Sequence, residues 1–271
     1  MRHAVASSFS PDFVLETRDL TVRFGGHVAV DGVSAGFRAG ELTAIVGPNG
    51  AGKTTYFNLI SGQLPATSGR ILLNGEDITR LPASTRTQRG IGRAFQITSL
   101  FPNLSVHENV RLAVQARAPG RASPFKVWSD HYDWNERADE VLVEVSLLGQ
   151  RDTLAAVLPH GAKRKLEVAI MMALSPSVFM FDEPTAGMSV DEVPVILDLI
   201  ARLKAKGDKT ILLVEHKMDV VRSLADRIVV LINGRLAADG DPATVTASPI
   251  VREAYLGQAP PAKTNAEASH A

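Results

Sequence analysis

The chain has no cysteine. Disulfides, thiolate catalysis and cysteine-ligated metals are therefore excluded, and a reducing compartment is permitted. It has no surplus charge: 29 Lys and Arg balance 29 Asp and Glu. Proteins that hold nucleic acid through bulk positive charge need a basic excess, so no nucleic-acid partner is expected. No apolar run approaches the roughly 20 residues that a membrane-spanning helix requires. The most apolar stretch, 168–181, is interrupted by Ser175, Pro176 and Ser177. The opening MRHAVASSFSPDF carries one arginine and no apolar core, so no secretory signal is expected. These absences lead us to expect a soluble protein, cytoplasmic or held at a membrane through a partner. What is present is ordinary for a folded chain: 271 residues, 45% hydrophobic and 21% charged, enough for one large domain or two small ones.

The pattern alternates strand and helix and contains no internal repeat. Residues 1–11 and 259–271 read as tails, the latter rich in Ala, Pro and polar residues, and 12–258 as a single domain. Residues 21–24 and 32–37 suggest strands of an antiparallel sheet, with turn signals at Gly25-Gly26 and Ala39-Gly40. The run 41–46 (ELTAIV) reads as a buried strand leading through a Gly-rich turn into a helix at 53–60. Residues 70–73, followed by Asn74-Gly75, suggest a strand and a tight turn. From Ser105 to about Leu158 helical periods dominate. Ala138, Val141, Val145 and Leu148 recur at helical spacing, and 97–160 is expected to form an inserted helical subdomain with a loop at 118–130. Helices at 161–174, 191–205 and 217–224 then alternate with strands at 178–181, 210–214 and 227–231. Such alternation implies an α/β fold: a mostly parallel sheet with flanking helices, plus the N-terminal antiparallel subdomain and the helical insert.

The chemistry concentrates at two places. Gly47-Pro48-Asn49-Gly50-Ala51-Gly52-Lys53-Thr54 fits GxxxxGK[ST], with a strand before it and a helix after. Its glycines let backbone N–H groups turn inward around phosphate oxygens, and the helix N-terminus adds its positive end. In this frame Lys53 reaches the β/γ-phosphates and the Thr54 hydroxyl ligates Mg2+. The second place is the apolar strand 178–181, which ends in Asp182 and Glu183. Open α/β sheets bind ligands at such strand ends. Asp182 suits a role near Mg2+, and Glu183 suits a general base that polarises water.

With these motifs on the page, the chain resembles the nucleotide-binding subunits of ATP-binding cassette (ABC) transporters, a P-loop NTPase fold, over about residues 14–257. The resemblance implies further roles. Phe24, 23 residues before Gly47, stands where the family places an aromatic that stacks on adenine. Gln96 in GRAFQ looks like the glutamine that sits near Mg2+ and water. His216 in VEHKMD looks like the histidine that contacts the γ-phosphate. The remaining histidines show no metal-ligand spacing. Thr55 extends the phosphate loop. The family's LSGGQ signature is replaced by Leu158-Pro159-His160-Gly161-Ala162. Gly161 still allows N–H groups to face a nucleotide on an opposite subunit, but Pro159 has neither hydroxyl nor N–H, and Ala162 stands at the glutamine position. Ala186-Gly187-Met188-Ser189 replaces the family's SALD.

The texts AFQITSLFPNLSVHENV, FDEPTAGMSVDE and VEHKMDVVRSLADRIVVLINGRLAADGDP are similar to the ATPase branch of branched-chain amino-acid importers. That resemblance implies ATP and Mg2+ as cofactors and transmembrane permease subunits as partners. It also implies a second ATPase subunit in a homo- or heterodimer, an indirect link to a periplasmic or extracellular solute-binding protein, and a peripheral place on the cytoplasmic face of the inner membrane. Two alternatives stay open here. The altered signature is compatible with a poorly hydrolysing partner in a heterodimer, and near relatives of the branch import urea, short amides or aromatic acids. A non-transport ATPase acting on nucleic acid or ribosomes is disfavoured by the neutral charge.

Overall fold

Strands that are apolar at every position must be covered on both faces, and the computed structural model, which describes residues 13–94, 100–117 and 132–256, places them at the centre of a sheet. The strands are β1 (Leu15–Phe24), β2 (His27–Phe37), β3 (Leu42–Val46), β4 (Ser68–Leu73), β5 (Glu76–Asp77), β6 (Ile91–Ala94), β7 (Val178–Asp182), β8 (Thr210–Val214), β9 (Arg227–Ile232) and β10 (Arg235–Gly240). The helices are α1 (Lys53–Ser61), α2 (Ala83–Gln88), α3 (Val106–Arg117), α4 (Tyr132–Glu144), α5 (His160–Leu174), α6 (Val193–Ala205), α7 (Met218–Leu224), α8 (Pro242–Ala247) and α9 (Pro249–Leu256).

Among the described residues the strands form two sheets. One is six-stranded in the order β10-β9-β3-β8-β7-β6, parallel from β9 to β6, with β10 antiparallel at its edge. The other is antiparallel in the order β2-β1-β4-β5. Successive side chains of a strand point to opposite faces. In β7, Val178 and Met180 join the core shared with α1 and the antiparallel sheet, whereas Phe179 and Phe181 join the core shared with α5 and α6. In β8, Leu212 and Val214 face the first core and Ile211 and Leu213 the second. Helix α6 shows the matching period, burying Ile196, Leu199, Ile200 and Leu203.

Helices α3 and α4 lie in the chain between β6 and β7 and pack with α5. Helix α3 begins on a capping box: the Glu108 N–H donates to Ser105 Oγ at 3.1 Å while the Ser105 N–H donates to Glu108 Oε2 at 3.1 Å. Ala138 and Val141 are buried as their spacing implies, and so is Val145, but Leu148 is 38% exposed. The helical period stops there because α4 ends at Glu144 and Ser146 turns left-handed at φ 57°. The expected turn at Asn74-Gly75 is present, both residues having positive φ, 50° and 81°, as a two-residue hairpin demands. Asn233 and Gly234 repeat it between β9 and β10 (50° and 75°), a hairpin that the sequence reading did not anticipate. Both tails and the whole of the expected loop at 118–130 lie outside the described residues.

Candidate functional site

The phosphate-loop motif folds where β3 stops and α1 starts. Gly47 adopts φ 155°, and a Cβ there would collide with the Leu231 carbonyl. Gly52 caps α1 at φ 95°, where a Cβ would lie 2.5 Å from the Ala29 carbonyl. Both positions therefore need glycine because backbone from neighbouring strands crowds the loop. The Ala51 N–H donates to the Pro48 carbonyl at 3.1 Å, and the Gly234 N–H donates to the Ala51 carbonyl at 3.0 Å, tying the loop to the β9–β10 turn. Buried Lys53 folds over the loop: Nζ donates to the carbonyls of Gly47 at 2.7 Å and Pro48 at 3.0 Å. Burial pushes its ammonium below the ordinary lysine range, against the pull of Glu183 and Asp182.

The opposite wall is built from the ends of β7 and β8. Glu183 takes φ 50°, a left-handed conformation that costs free energy in a non-glycine residue. Its N–H donates to the Val214 carbonyl at 3.0 Å, which clips the turn to β8. His216, just past β8, places Nε2 2.6 Å from Glu183 Oε1. The two side chains are about equally exposed, 39% and 40%, so the pair faces the cleft. This cleft, about 440 Å³, is lined by Phe24, His27, Ala29, residues 49–55, Glu183 and His216. Phe24 ends β1 and is 51% exposed, an apolar ring presented to the cleft mouth. The structure thus brings together Phe24, Asn49, Gly50, Ala51, Gly52, Lys53, Thr54, Thr55, Glu183 and His216. Gln96 lies outside the described residues.

Asp182 ends β7 just before Glu183 and is buried, 7% exposed, outside the lining of the cleft, with Oδ2 receiving a hydrogen bond from Arg93 Nη2 at 2.6 Å. Burial pushes its carboxyl above the usual range while Arg93 pulls it back. Among the described residues no group of three or more His, Cys, Asp and Glu could hold an ion by itself. Thr54 and Asp182 instead offer a hydroxyl and a carboxylate, a partial set of hard oxygen donors. That set fits Mg2+ arriving with phosphate oxygens.

Gly161 is elsewhere, in the first turn of α5. Its N–H donates to Glu192 Oε1 at 3.1 Å, and the Ser189 N–H donates to Glu192 Oε2 at 3.1 Å. Three residues near these groups escaped the sequence reading. Arg93 was overlooked although a charged residue inside the buried strand IGRA demands a partner. Glu215, 3% exposed, accepts from Thr185 Oγ1 at 2.7 Å and from the His216 N–H at 3.1 Å, which braces the turn carrying the histidine. Glu192 gave no signal beyond its place just before a helix.

Residues 30–186 match the family model described as ABC transporter, and residues 235–260 match the one described as branched-chain amino acid ATP-binding cassette transporter. The chain is 38% identical over 251 residues to the high-affinity branched-chain amino acid transport ATP-binding protein BraF of Pseudomonas aeruginosa, spanning 91% of this chain and 98% of that one. LivG of Escherichia coli, a protein of the same description, is 36% identical with the same coverage. The ADP conformation of MJ1267, an ATP-binding cassette of an ABC transporter, matches with a TM-score of 0.78 at 30% identity, covering 91% of this chain and 99% of that one. A nucleotide-free ATP-binding cassette from an ABC transporter matches at 0.77 and 29% identity, with 91% and 100% coverage.

Proposed function

This chain belongs to the ABC transporter family, and from that premise we propose that it hydrolyses ATP to drive uptake of branched-chain amino acids through separate membrane subunits. The observation that carries the reading is the contact of Glu183 with His216 across the cleft from the phosphate loop. The solute follows from the similarity to BraF and LivG and from the C-terminal match at 235–260.

Each residue then has a task. Phe24 stacks on the adenine. Residues 47–55 wrap the phosphates, with backbone N–H groups and the N-terminus of α1 supplying positive potential. Lys53 leaves the Gly47 and Pro48 carbonyls to contact the β- and γ-phosphates. Thr54 and Asp182, with Gln96, hold Mg2+, which when bound neutralises charge developing on the phosphate oxygens. Glu183 takes a proton from the attacking water as its oxygen bonds to the γ-phosphorus. The bond from phosphorus to the bridging oxygen breaks, and that oxygen leaves with ADP. His216 holds the Glu183 carboxylate through Nε2 and faces the γ-phosphate. The chain works as one of two ATPase subunits, Gly161 of each facing the nucleotide of the other. In this reading it is held peripherally at the cytoplasmic face by its permease partners, as the similarity to BraF and LivG supports. No helix among the described residues is long and apolar enough to cross a membrane. A helical subdomain at 97–160 within a single domain at 12–258 completes this reading.

The poorly hydrolysing alternative is not favoured, because Glu183 and His216 are both retained and in contact. In the assembled complex, Glu183→Gln should lower steady-state ATP turnover by roughly a hundredfold or more, the size of a general-base contribution. Nucleotide binding should persist. Unchanged turnover would remove Glu183 from the role.

A further inference from the structure

Arg93 does something that no motif explains. Its guanidinium lies between the end of α1 and the end of β7, with its side chain 7% exposed. Nη2 donates to Asp182 Oδ2 at 2.6 Å. Nη1 donates to Asn58 Oδ1 at 2.7 Å, to Ser61 Oγ at 3.0 Å and to Gln63 Oε1 at 3.1 Å. The carbon of the guanidinium is 5.6 Å from the centroid of the Phe57 ring, over its face. Asn58, Ser61 and Phe57 all belong to α1, the helix whose first turn carries Lys53 and Thr54. A single planar cation thus ties the far end of that helix to one oxygen of Asp182. Among the described residues, the other oxygen, Oδ1, accepts no hydrogen bond.

We propose that Arg93 is a positioning residue for the magnesium site: it fixes Asp182 through Oδ2 so that Oδ1 is presented to an ion held between Asp182 and Thr54. The inference rests on the nucleotide-binding reading given above. Its physical basis is the cost of burying a carboxylate. Without a partner the Asp182 side chain would rotate toward water or take up a proton, and either change removes a ligand oxygen. A guanidinium does this better than an ammonium, because its rigid fork can hold Asp182 on one nitrogen and the α1 side chains on the other. The register between Thr54 and Asp182 is then set through α1 rather than through the loop. Partners that orient a metal ligand in this way are worth roughly 10- to 100-fold in metal affinity.

The test uses the full chain and ADP, with binding measured by titration calorimetry in excess EDTA and again in Mg2+. The ratio of the two affinities is the magnesium effect. Arg93→Met should reduce that ratio about tenfold while leaving the EDTA affinity close to wild type. Arg93→Lys should recover it in part. Asn58→Leu, which removes an α1 partner of Arg93 while leaving Asp182 and Lys53 in place, should shift the ratio in the same direction by a smaller factor, and it serves as the readout should Arg93→Met fail to fold. An unchanged ratio in Arg93→Lys and Asn58→Leu overturns the proposal. So does a larger ratio in Arg93→Met, which would mean that the arginine competes with the ion. Failure of the wild-type chain to bind ADP in either condition would instead sink the nucleotide-binding reading itself.

Discussion

At the scale of single residues, the site stores two departures from comfort, a buried ammonium and a left-handed glutamate. Lys53 donates to loop carbonyls, and burial holds its pKa below the usual lysine value. Polyphosphate would place several negative charges beside it and raise that pKa again. Nucleotide binding should therefore take up protons, increasingly so as pH rises toward the lysine range. Calorimetric titration with ADP in two buffers of different ionisation enthalpy reads this directly. Equal binding enthalpies across the alkaline range would show that Lys53 does not meet the phosphates. The lysine was legible in the sequence because the motif names it by spacing alone. Arg93 was not legible in the same way. Its partner Asp182 is 89 positions away, and only the parallel pairing of β6 with β7 brings the two together.

At the scale of elements, the chain advertised what is periodic and hid what is closed by long-range contacts. Strands β7 and β8 were readable because uninterrupted apolar runs fit only a sheet covered on both faces. Strand β10 was not: its sequence RLAADG carries a weak apolar signal, and its order comes from pairing with β9. The preceding Asn233-Gly234 was the available clue. Helix α1 shows the same division. Its start is written in the glycine motif, but its end is completed by Arg86 from α2. Nη1 of Arg86 donates to the carbonyls of Leu59 at 2.6 Å and Ile60 at 2.8 Å, Nη2 to that of Thr79 at 2.7 Å, and Nε to that of Leu81 at 2.9 Å. The residue is 2% exposed. Removing it takes a donor from four carbonyls, of which that of Leu59 keeps the Gly62 N–H at 3.2 Å, so Arg86→Ala should destabilise the fold by on the order of 3 kcal/mol. Lysine should recover only part, since it cannot reproduce the fork. Urea unfolding of the three proteins decides it, and a midpoint for Arg86→Ala close to wild type would show that water replaces the cap.

At the scale of the whole molecule, two groups to which the proposed function gives a part sit apart, the phosphate loop in the cleft and Gly161 at the N-terminus of α5. The proposed function has Gly161 serve a nucleotide on the opposite subunit, yet in the isolated chain its N–H is already occupied by Glu192. The fit is close: a Cβ at position 161 would meet the Glu192 carboxylate, so any larger residue there would displace that side chain. Hydrogen bonds from the Ser189 and Gly161 N–H groups hold that carboxyl below the usual range, with His160 adding a smaller pull. The carboxylate form is therefore the one that stabilises this arrangement. Its contribution is present above the unfolded-state carboxyl range and is lost as pH falls through the lowered value. A carboxylate at a helix N-terminus satisfies the same N–H groups and the same positive end that a phosphate would. Under the proposed function, closure over ATP exchanges Glu192 for the γ-phosphate, and the exchange is opposed by the contact already made. Glu192→Gln keeps the shape and removes the charge. It should lower the ATP concentration needed for dimer formation by roughly two- to fivefold, the range of a single charge at a helix end. Sedimentation in the Glu183→Gln background, where the nucleotide persists, measures this. A higher ATP requirement in the double variant would mean that Glu192 shapes the anion seat rather than filling it.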